Sequence, residues 1–359
     1  MLKKIVSIFL FCISMAYGQD NRYDSLQYYY PLAINNPLYI HKLYQFSFRV
    51  HRVSPDTSIK YANIALELAK EYKDSCEFAF ANYCLGVAYS VKGEYEKALD
   101  YTTKAYNLSN YTNRIDFAPS VLMSMGILYE YLNDFEKAIE THQESVKKYR
   151  EINDTEGVST ALNNLAIVNI TYNNNFDEAL KYFNESLEIR KKLNLRDKIA
   201  SSLNNIGETY MYMGKTDLAI EYINQASNIY KQLNDKYGLA INYKNIGELY
   251  FKQKDINNAL KNIKISLDYA QELNLKLVLQ KNYELLSNIY RDEKKYKEAY
   301  ENYIIYTNYK DSILNEKNSK QISELKTKYE TEKAQQDLLL ERQEKELKDI
   351  ELQKQKVLR

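Results

Sequence analysis

The chain has 359 residues, with 36 Tyr and no Trp but only 9 Gly and 4 Pro. Gly and Pro build tight turns and strained loops, so their scarcity argues against an all-β sandwich or barrel and against Gly-rich phosphate loops. The 49 basic and 48 acidic residues give a formal net charge of +1, which provides no electrostatic basis for binding nucleic acid. Composition therefore predicts a long, mostly helical protein.

Residues 1–18 are predicted to be a signal peptide for export. Lys3 and Lys4 precede a short apolar stretch, and Ala16 and Gly18 provide the small residues of a cleavage site. The apolar stretch is shorter than the about 20 residues that a transmembrane helix needs. The mature protein is therefore expected to be periplasmic or extracytoplasmic, either as a separate chain or anchored to the membrane within a longer parent protein.

The mature chain would begin at Gln19, and residues 19–37 would form an N-terminal segment before the repeats described next. Its cysteines, Cys76 and Cys84, lie eight residues apart on one predicted helix. That spacing is about 12 Å along a helix axis, whereas a disulfide needs Cα atoms within about 7 Å of each other. Both cysteines are therefore expected to be free, buried thiols.

Residues 38–310 contain a repeat of about 40 residues. A small residue, here called the anchor, recurs in the first helix of each copy, and an Ala follows twelve or thirteen residues later in the second helix. A degenerate first copy is predicted to have Phe46 at the anchor and Ser58 in the Ala column. The anchors are Gly86, Gly126, Ala166, Gly207, Gly247 and Ser287, and the Ala column is Ala98, Ala138, Ala179, Ala219, Ala259 and Ala299.

This pattern resembles the tetratricopeptide repeat, in which L-G-x-x-Y on one helix is followed by Ala on its partner helix. The segment LGVAY at 85–89 shows the motif directly. The resemblance implies an all-α solenoid of about seven helical hairpins in a right-handed superhelix. A small residue at the anchor would let the two helices approach closely, and a bulky one would overpack them at a cost of about 1–3 kcal/mol.

Polar residues mark the boundaries between copies. Asn follows Leu or Ile at four boundaries, which predicts the left-handed conformation that ends a helix. Asp residues near the boundaries are expected to cap the next helix, and Asp74 with Glu77 has the spacing of a capping box. The boundary asparagines are Asn153, Asn194, Asn234 and Asn274, and the capping aspartates are Asp74, Asp154 and Asp235.

Residues 311–359 are densely charged and contain no Gly or Pro. Their apolar residues fit two heptad seams offset by four residues, which predicts a coiled coil with a stutter, most simply a parallel homodimer. The alternative is a single charged helix without a partner. The first seam contains Ile322, Leu325 and Tyr329, and the second contains Leu340, Leu347, Ile350 and Val357.

This charged segment also resembles the connector of exported tetratricopeptide sensors, namely sensor histidine kinases and helix-turn-helix regulators. In those proteins a signal peptide, a repeat array and a helical connector precede a transmembrane helix and an output domain. No apolar run long enough to span a membrane follows the signal peptide here. The chain is therefore expected to be either the input half of such a sensor or a soluble relative.

No constellation of catalytic or metal-binding residues is recognisable, so the chain is expected not to be an enzyme and to need no cofactor or metal. His41 and His51 are ten residues apart, which is not a metal-ligand spacing. His142 occupies a repeat position that holds Phe183 and Ile223 in the next two copies. It is therefore expected to be a packing residue.

The candidate site is the groove expected along the first helices, which is predicted to be apolar in the early copies and polar from the fourth copy onward. The stretch ALNNLA at 161–166 resembles the repeats of kinesin light chains. That resemblance implies that Asn side chains hold the backbone of an extended peptide, whereas the alternative is hydrogen bonding between neighbouring helices. The residues expected in the groove are Asn163, Asn164, Asn204, Asn205, Glu208, Lys244, Asn245, Glu248, Glu284 and Asn288.

These features favour an exported scaffold that binds a peptide or protein segment, as the input region of a signal-transduction protein. The alternative is a soluble periplasmic scaffold that assembles other proteins without signalling. A peptide or protein ligand and a second copy of the chain are the expected partners. Nucleic acid is not expected, and a membrane is expected only if a transmembrane helix follows residue 359.

Overall fold

The computed structural model describes residues 40–315, which form helices joined by short turns and contain no β-strand. The predicted signal peptide, N-terminal segment and heptad seams lie outside these residues. A short 3₁₀ helix, Ser109–Tyr111, lies between α4 and α5 as numbered here. The helices are α1 Ile40–Val50, α2 Pro55–Glu71, α3 Ser75–Lys92, α4 Tyr95–Asn107, α5 Phe117–Tyr131, α6 Phe135–Glu151, α7 Thr155–Asn173, α8 Phe176–Lys192, α9 Arg196–Tyr212, α10 Thr216–Leu233, α11 Lys236–Lys252, α12 Ile256–Glu272, α13 Lys276–Asp292 and α14, residues 296–315.

The described helices fall into seven consecutive pairs, as the repeat predicts, which confirms an all-α array of helical hairpins. The chain divides into two compact units, of which the first ends at Thr209 and the second begins at Tyr210. In the first unit α1 packs on α2, α3 on α4, α5 on α6 and α7 on α8. In the second unit α11 packs on α12, and α12 also packs on α13 of the next pair.

The anchor glycines lie where two helices of a hairpin nearly touch. A Cβ on Gly86 would be 3.1 Å from the carbonyl oxygen of Ala98 and would overlap Thr102. A Cβ on Gly126 would overlap the ring of His142. The close approach to the Ala column is therefore confirmed, and the side chain four residues after the Ala is what closes the space above the anchor.

The first copy has a different register from the predicted one. Ser47, not Phe46, faces Ser58: Ser47 Oγ donates to the Ser58 carbonyl oxygen at 2.9 Å, and Ser58 Oγ donates to the Ser47 carbonyl oxygen at 2.8 Å. Ser47 and Ser58 are fully buried, whereas Phe46 is only partly buried. The anchor Ser287 makes the same kind of bond to the Ala299 carbonyl oxygen, at 2.9 Å. Ser47 is therefore the anchor of this copy, because a phenylalanine would not fit between the two helices.

The predicted helix ends and capping aspartates are confirmed. The predicted capping box is only half formed, because the Asp74 N–H donates to the Ala69 carbonyl oxygen at 2.9 Å and not to the Glu77 side chain. The four boundary asparagines have φ between 50° and 55°. Asp74 accepts hydrogen bonds from the backbone N–H of Cys76 and of Glu77, both at 3.0 Å. Asp154 and Asp235 each accept from the backbone N–H three residues later. Lysines also take the left-handed conformation at three turns, which the sequence did not indicate: Lys73, Lys254 and Lys294.

Buried serines form a polar column inside the hairpins that the sequence reading missed. Each lies seven residues after the Ala column on a second helix and donates its hydroxyl to a backbone carbonyl of the first helix. The bonds run from Ser145 to Pro119 at 2.9 Å, from Ser186 to Ser159 at 2.7 Å and from Ser266 to Ala240 at 2.6 Å. Because the carbonyl accepts in each case, the hydroxyl is satisfied without any partner side chain.

Tyrosine rings pack against one another both within a hairpin and between hairpins. Tyr89 and Tyr101 stack within one hairpin with centroids 5.5 Å apart. Tyr95 stacks on Tyr131 of the next hairpin at 4.5 Å. Aromatic rings contribute large buried areas to a helical core. The excess of Tyr therefore serves packing between helices.

Candidate functional site

The ten residues expected in the groove all lie on first helices of the hairpins. Two are on α7, three on α9, three on α11 and two on α13. Those on α7 and α9 belong to the first compact unit, and those on α11 and α13 belong to the second. The structure therefore presents them as two groups.

The group in the first unit contains a hydrogen-bonded pair of asparagines. Asn205 Nδ2 on α9 donates to Asn163 Oδ1 on α7 at 3.0 Å. Arg190 Nη1 on α8 donates to the same Oδ1 at 3.4 Å. The side chain of Asn163 thus joins the neighbouring first helix to a second helix.

Arg190 is only 4% exposed, and sequence reasoning did not identify it. Its Nη1 also donates to Ser202 Oγ at 2.7 Å and to the Lys198 carbonyl oxygen at 3.1 Å. Burial lowers the pKa of the guanidinium to about 10, and the negative charges of Asp197 and Glu156 partly oppose this shift. All of its hydrogen-bond acceptors are neutral oxygens, so the guanidinium is held by a polar cage and not by a direct salt bridge.

The other three residues of this group are partly buried: Asn164, Asn204 and Glu208. Asn204 Oδ1 is buried without a hydrogen-bond partner. An unpaired buried acceptor costs about 1–3 kcal/mol relative to a satisfied one. The first unit therefore has both a paired asparagine set and an unsatisfied acceptor on the same two helices.

The group in the second unit is mainly charged. Asn245 is buried, whereas Lys244 and Asn288 are partly exposed. Glu248 pairs with Lys252 on the same helix at 3.1 Å, and Glu284 pairs with Lys281 at 2.9 Å. Exposed pairs of this kind contribute about 0–1 kcal/mol to stability, so these carboxylates remain available to other partners.

The first helices of the early hairpins carry a cluster of aromatic rings. Tyr44 of α1 stacks on Phe80 of α3 at 5.3 Å, and Phe80 contacts Phe117 of α5 at 4.4 Å. Tyr83 packs on Phe117, and its hydroxyl lies 3.0 Å from Ser124 Oγ. These helices are apolar, as predicted, but their rings pack on one another.

The histidines and cysteines of the described region do not form a reactive site. His142 is fully buried against its anchor, as predicted for a packing residue, and its Nε2 lies 2.9 Å from Glu130 Oε1. Cys76 and Cys84 are free thiols, although Cys76 is partly exposed and not buried as predicted. Burial raises the pKa of the Cys84 thiol. Between residues 40 and 315 no group of His, Cys, Asp and Glu is arranged to hold a metal ion.

Two stretches of the chain, residues 117–192 and 198–272, match the sequence model of the tetratricopeptide repeat family. The repeats within these two stretches are tetratricopeptide repeats. The matches include α7, α8, α11 and most of α9, which carry Arg190 and eight of the ten groove residues. No curated protein sequence matches the chain.

Several solved structures have a similar fold. Their sequence identities to this chain are so low that the likeness concerns the fold alone. A signal transduction ATPase with a tetratricopeptide repeat sensor from Pyrococcus horikoshii has a TM-score of 0.66 and 17% identity, over 82% of this chain and 46% of that chain. The apo form of RapI has a TM-score of 0.61 and 14% identity, over 77% of this chain and 99% of RapI. A Rap conjugation gene regulator of plasmid pLS20, in complex with the Phr* peptide, has a TM-score of 0.52 and 17% identity, over 77% of this chain and 76% of that chain.

Among the described helices, none is long and apolar enough to cross a membrane.

Proposed function

We propose that this tetratricopeptide repeat protein is a scaffold that binds a peptide or protein segment through polar side chains of its first helices. The observation that carries the proposal is the Asn163–Asn205 pair, in which two amides on neighbouring first helices are hydrogen-bonded to each other at 3.0 Å. Each amide keeps one polar atom that this bond does not use. Such an arrangement matches the one N–H and one C=O of a peptide unit.

The comparisons support the ligand class at the level of the fold. The Rap regulator of plasmid pLS20, whose fold is similar, is in complex with the Phr* peptide. Its 17% identity to this chain does not extend to individual contacts. The support from this likeness is therefore for a peptide ligand in general.

We further propose that the array is exported and acts as a sensory input region, with a homodimer formed through residues 311–359. This rests on the predicted signal peptide, the predicted heptad seams and the resemblance to sensor connectors. The alternative is a soluble periplasmic assembly scaffold. The gene downstream of Arg359 discriminates between them. An apolar run of about 20 residues there favours the sensor, whereas a native stop codon directly after Arg359 favours the scaffold.

Panning tests the binding proposal. Residues 19–359 would be immobilised and exposed to a displayed library of random peptides, and enriched sequences would be synthesised with a fluorescent label. We expect the double variant Asn163→Ala/Asn205→Ala to lose at least about tenfold in affinity, since two hydrogen bonds of about 1 kcal/mol each are removed.

A matched control is Asn107→Ala/Asn110→Ala, which changes two exposed asparagines at the end of α4 and in the following 3₁₀ helix. This variant should bind the labelled peptides like the wild type. Equal affinity of the wild type and the Asn163/Asn205 variant, or the absence of any enriched peptide, would contradict the proposed site.

A further inference from the structure

We infer that Arg190 is a positioning residue that fixes which polar atoms Asn163 and Asn205 offer to a ligand. It thereby sets the donor–acceptor order that a bound peptide backbone must match. This inference rests on the proposed peptide-binding function and deepens it. An isolated asparagine can satisfy a peptide unit in either sense, because its amide has both a donor and an acceptor.

The chemistry of Arg190 removes that freedom. A guanidinium has only donors and no acceptor. The atom of Asn163 that lies 3.4 Å from Arg190 Nη1 must therefore be the oxygen. Rotating the amide by half a turn would place its NH₂ group against the N–H groups of the guanidinium, donor against donor, and the bond to Asn163 would be lost. The orientation of Asn163 is thus dictated by its neighbour.

The orientation of Asn205 follows from that of Asn163. The same Oδ1 of Asn163 accepts from Asn205 Nδ2 at 3.0 Å, and an oxygen in place of that nitrogen would meet another oxygen. Two atoms then remain for other partners, Asn163 Nδ2 and Asn205 Oδ1. Within residues 40–315 neither atom makes a hydrogen bond, and neither belongs to the buried polar atoms that lack a partner, so both keep some exposure to solvent on side chains that are partly buried.

These two atoms define an order along the site. Asn163 on α7 offers an N–H donor, which takes a backbone carbonyl. Asn205 on α9 offers an oxygen acceptor, which takes a backbone N–H. The fitting ligand is therefore a peptide segment that places a carbonyl over α7 and an N–H over α9, and not the reverse.

The repeats show that the fold itself does not require an arginine here. The corresponding positions of the copies before and after are Tyr149 and Tyr230. Arg190 is held instead by serines of its own hairpin and of the next one, namely Ser159 Oγ at 3.4 Å and Ser202 Oγ at 2.7 Å. This cage keeps the guanidinium beneath the asparagine pair. The order is therefore a local property of α7, α8 and α9.

The variant Asn163→Asp tests the contact with Arg190 and the donor–acceptor order by two separate measurements. An aspartate would still accept from Arg190 and Asn205, and it would give the buried guanidinium a counter-charge. It would also replace the accessible N–H donor by an oxygen. We expect the melting temperature of residues 19–359 at pH 7 to rise by a few degrees. The affinity for the labelled peptide selected by panning should fall at least about tenfold.

Two further variants make the temperature readout specific. Asn164→Asp adds the same charge one residue later, where no bond from Arg190 is seen, and should not raise the melting temperature. Arg190→Met combined with Asn163→Asp should melt below Arg190→Met alone, because a partly buried carboxylate then lacks its cation. The Asn163→Asp change is thus expected to stabilise the protein that has Arg190 and to destabilise the Arg190→Met variant.

Each outcome decides a different point. A fall in melting temperature for Asn163→Asp, or an equal rise for Asn164→Asp, would overturn the contact between Arg190 and Asn163 on which the assigned orientation rests. A rise with unchanged peptide affinity would overturn the donor–acceptor order. If the wild type enriches no peptide, the proposed function and the order imposed on a peptide both fail, while the melting temperatures still decide whether Arg190 contacts Asn163.

Discussion

The ring of Tyr149, on α6, lies directly against the backbone of Gly157, on α7. A Cβ built on Gly157 would overlap the ring. Tyr230 and Gly238 repeat the relationship two hairpins further on, where the added Cβ would be 2.8 Å from Tyr230 Cδ2. Each glycine is therefore required by an aromatic residue eight positions earlier in the chain.

Gly157→Ala should destabilise the protein. Tyr149 cannot move aside easily, because it is buried and its hydroxyl lies 2.9 Å from Ser120 Oγ. Overpacking costs about 1–3 kcal/mol, and the better helix propensity of Ala returns up to about 1 kcal/mol. We expect a net loss of about 1–2 kcal/mol, measured by urea unfolding.

The control is Lys198→Ala at the corresponding position of the next copy, where the earlier residue is Arg190 and no glycine is needed. It should change stability by about 0.5 kcal/mol or less. A Gly157→Ala variant as stable as the wild type would show that the ring relaxes freely.

Lys254→Gly should stabilise the protein. Lys254 ends α11 with φ of 63°, and the same turn position holds Gly93, with φ of 80°, and Gly214, with φ of 72°. A residue with a Cβ pays about 1–2 kcal/mol in this conformation, against about 0.5–1 kcal/mol of extra chain entropy for Gly. A gain of about 0.5–1 kcal/mol in unfolding free energy is expected.

Lys261→Gly is the matched control, because it makes the same change at an exposed position within α12. That variant should lose about 1 kcal/mol. A loss of stability in both variants would mean that the left-handed turn does not limit stability.

Glu77→Gln should change how stability depends on pH. Burial, and secondarily the charge of Asp74, raises the pKa of Glu77 from 4.5 to about 7. The folded state therefore holds a proton that the unfolded state releases, and this contribution to stability is present below about pH 4.5 and lost as the pH rises through 7. The variant should melt higher than the wild type at pH 8, and the difference should shrink at pH 4.

The exposed residue Glu140 of α6 provides the comparison. Glu140→Gln should melt close to the wild type at both pH values. If the melting temperatures of Glu77→Gln and the wild type were equal at every pH, folding would not raise the pKa of Glu77.

The proposed homodimer predicts that residues 19–359 sediment as a dimer. Leu340→Asp/Leu347→Asp puts two charges into the second heptad seam and should give a monomer with unchanged helix content in the repeats. Gln355→Asp, outside both seams, should remain a dimer. Sedimentation of the wild type as a monomer would end the proposal.

The hairpin array could be read from the sequence because its determinants recur in register. Small anchors, an Ala column and boundary asparagines each reflect a local steric requirement of one residue, which is visible wherever the residue recurs. The first copy was misplaced by one residue because Ser47 precedes Ser58 by only eleven residues, whereas the spacing is twelve or thirteen in the other copies. Only the contact with Ser58 identifies it.

The candidate site was predictable only in part. The asparagines were found because they repeat, but Arg190 was missed because it occurs once, at a position where neighbouring copies have tyrosine. Its role depends on contacts to two other helices. Tyr149 is followed eight residues later by Gly157, whereas Arg190 is followed eight residues later by Lys198. This joint change of both residues was the signal in the sequence that could have identified Arg190.

The stacked tyrosines also give this protein its own optical probe. With no Trp among its residues, its near-ultraviolet absorption and emission come almost entirely from 36 Tyr. Ring pairs such as Tyr89–Tyr101, inclined by 2°, and Tyr95–Tyr131, inclined by 5°, hold neighbouring chromophores nearly parallel. Near-ultraviolet circular dichroism should therefore report the packing of helices without an added label. A single Trp introduced into one hairpin would stand out against that background as a local reporter.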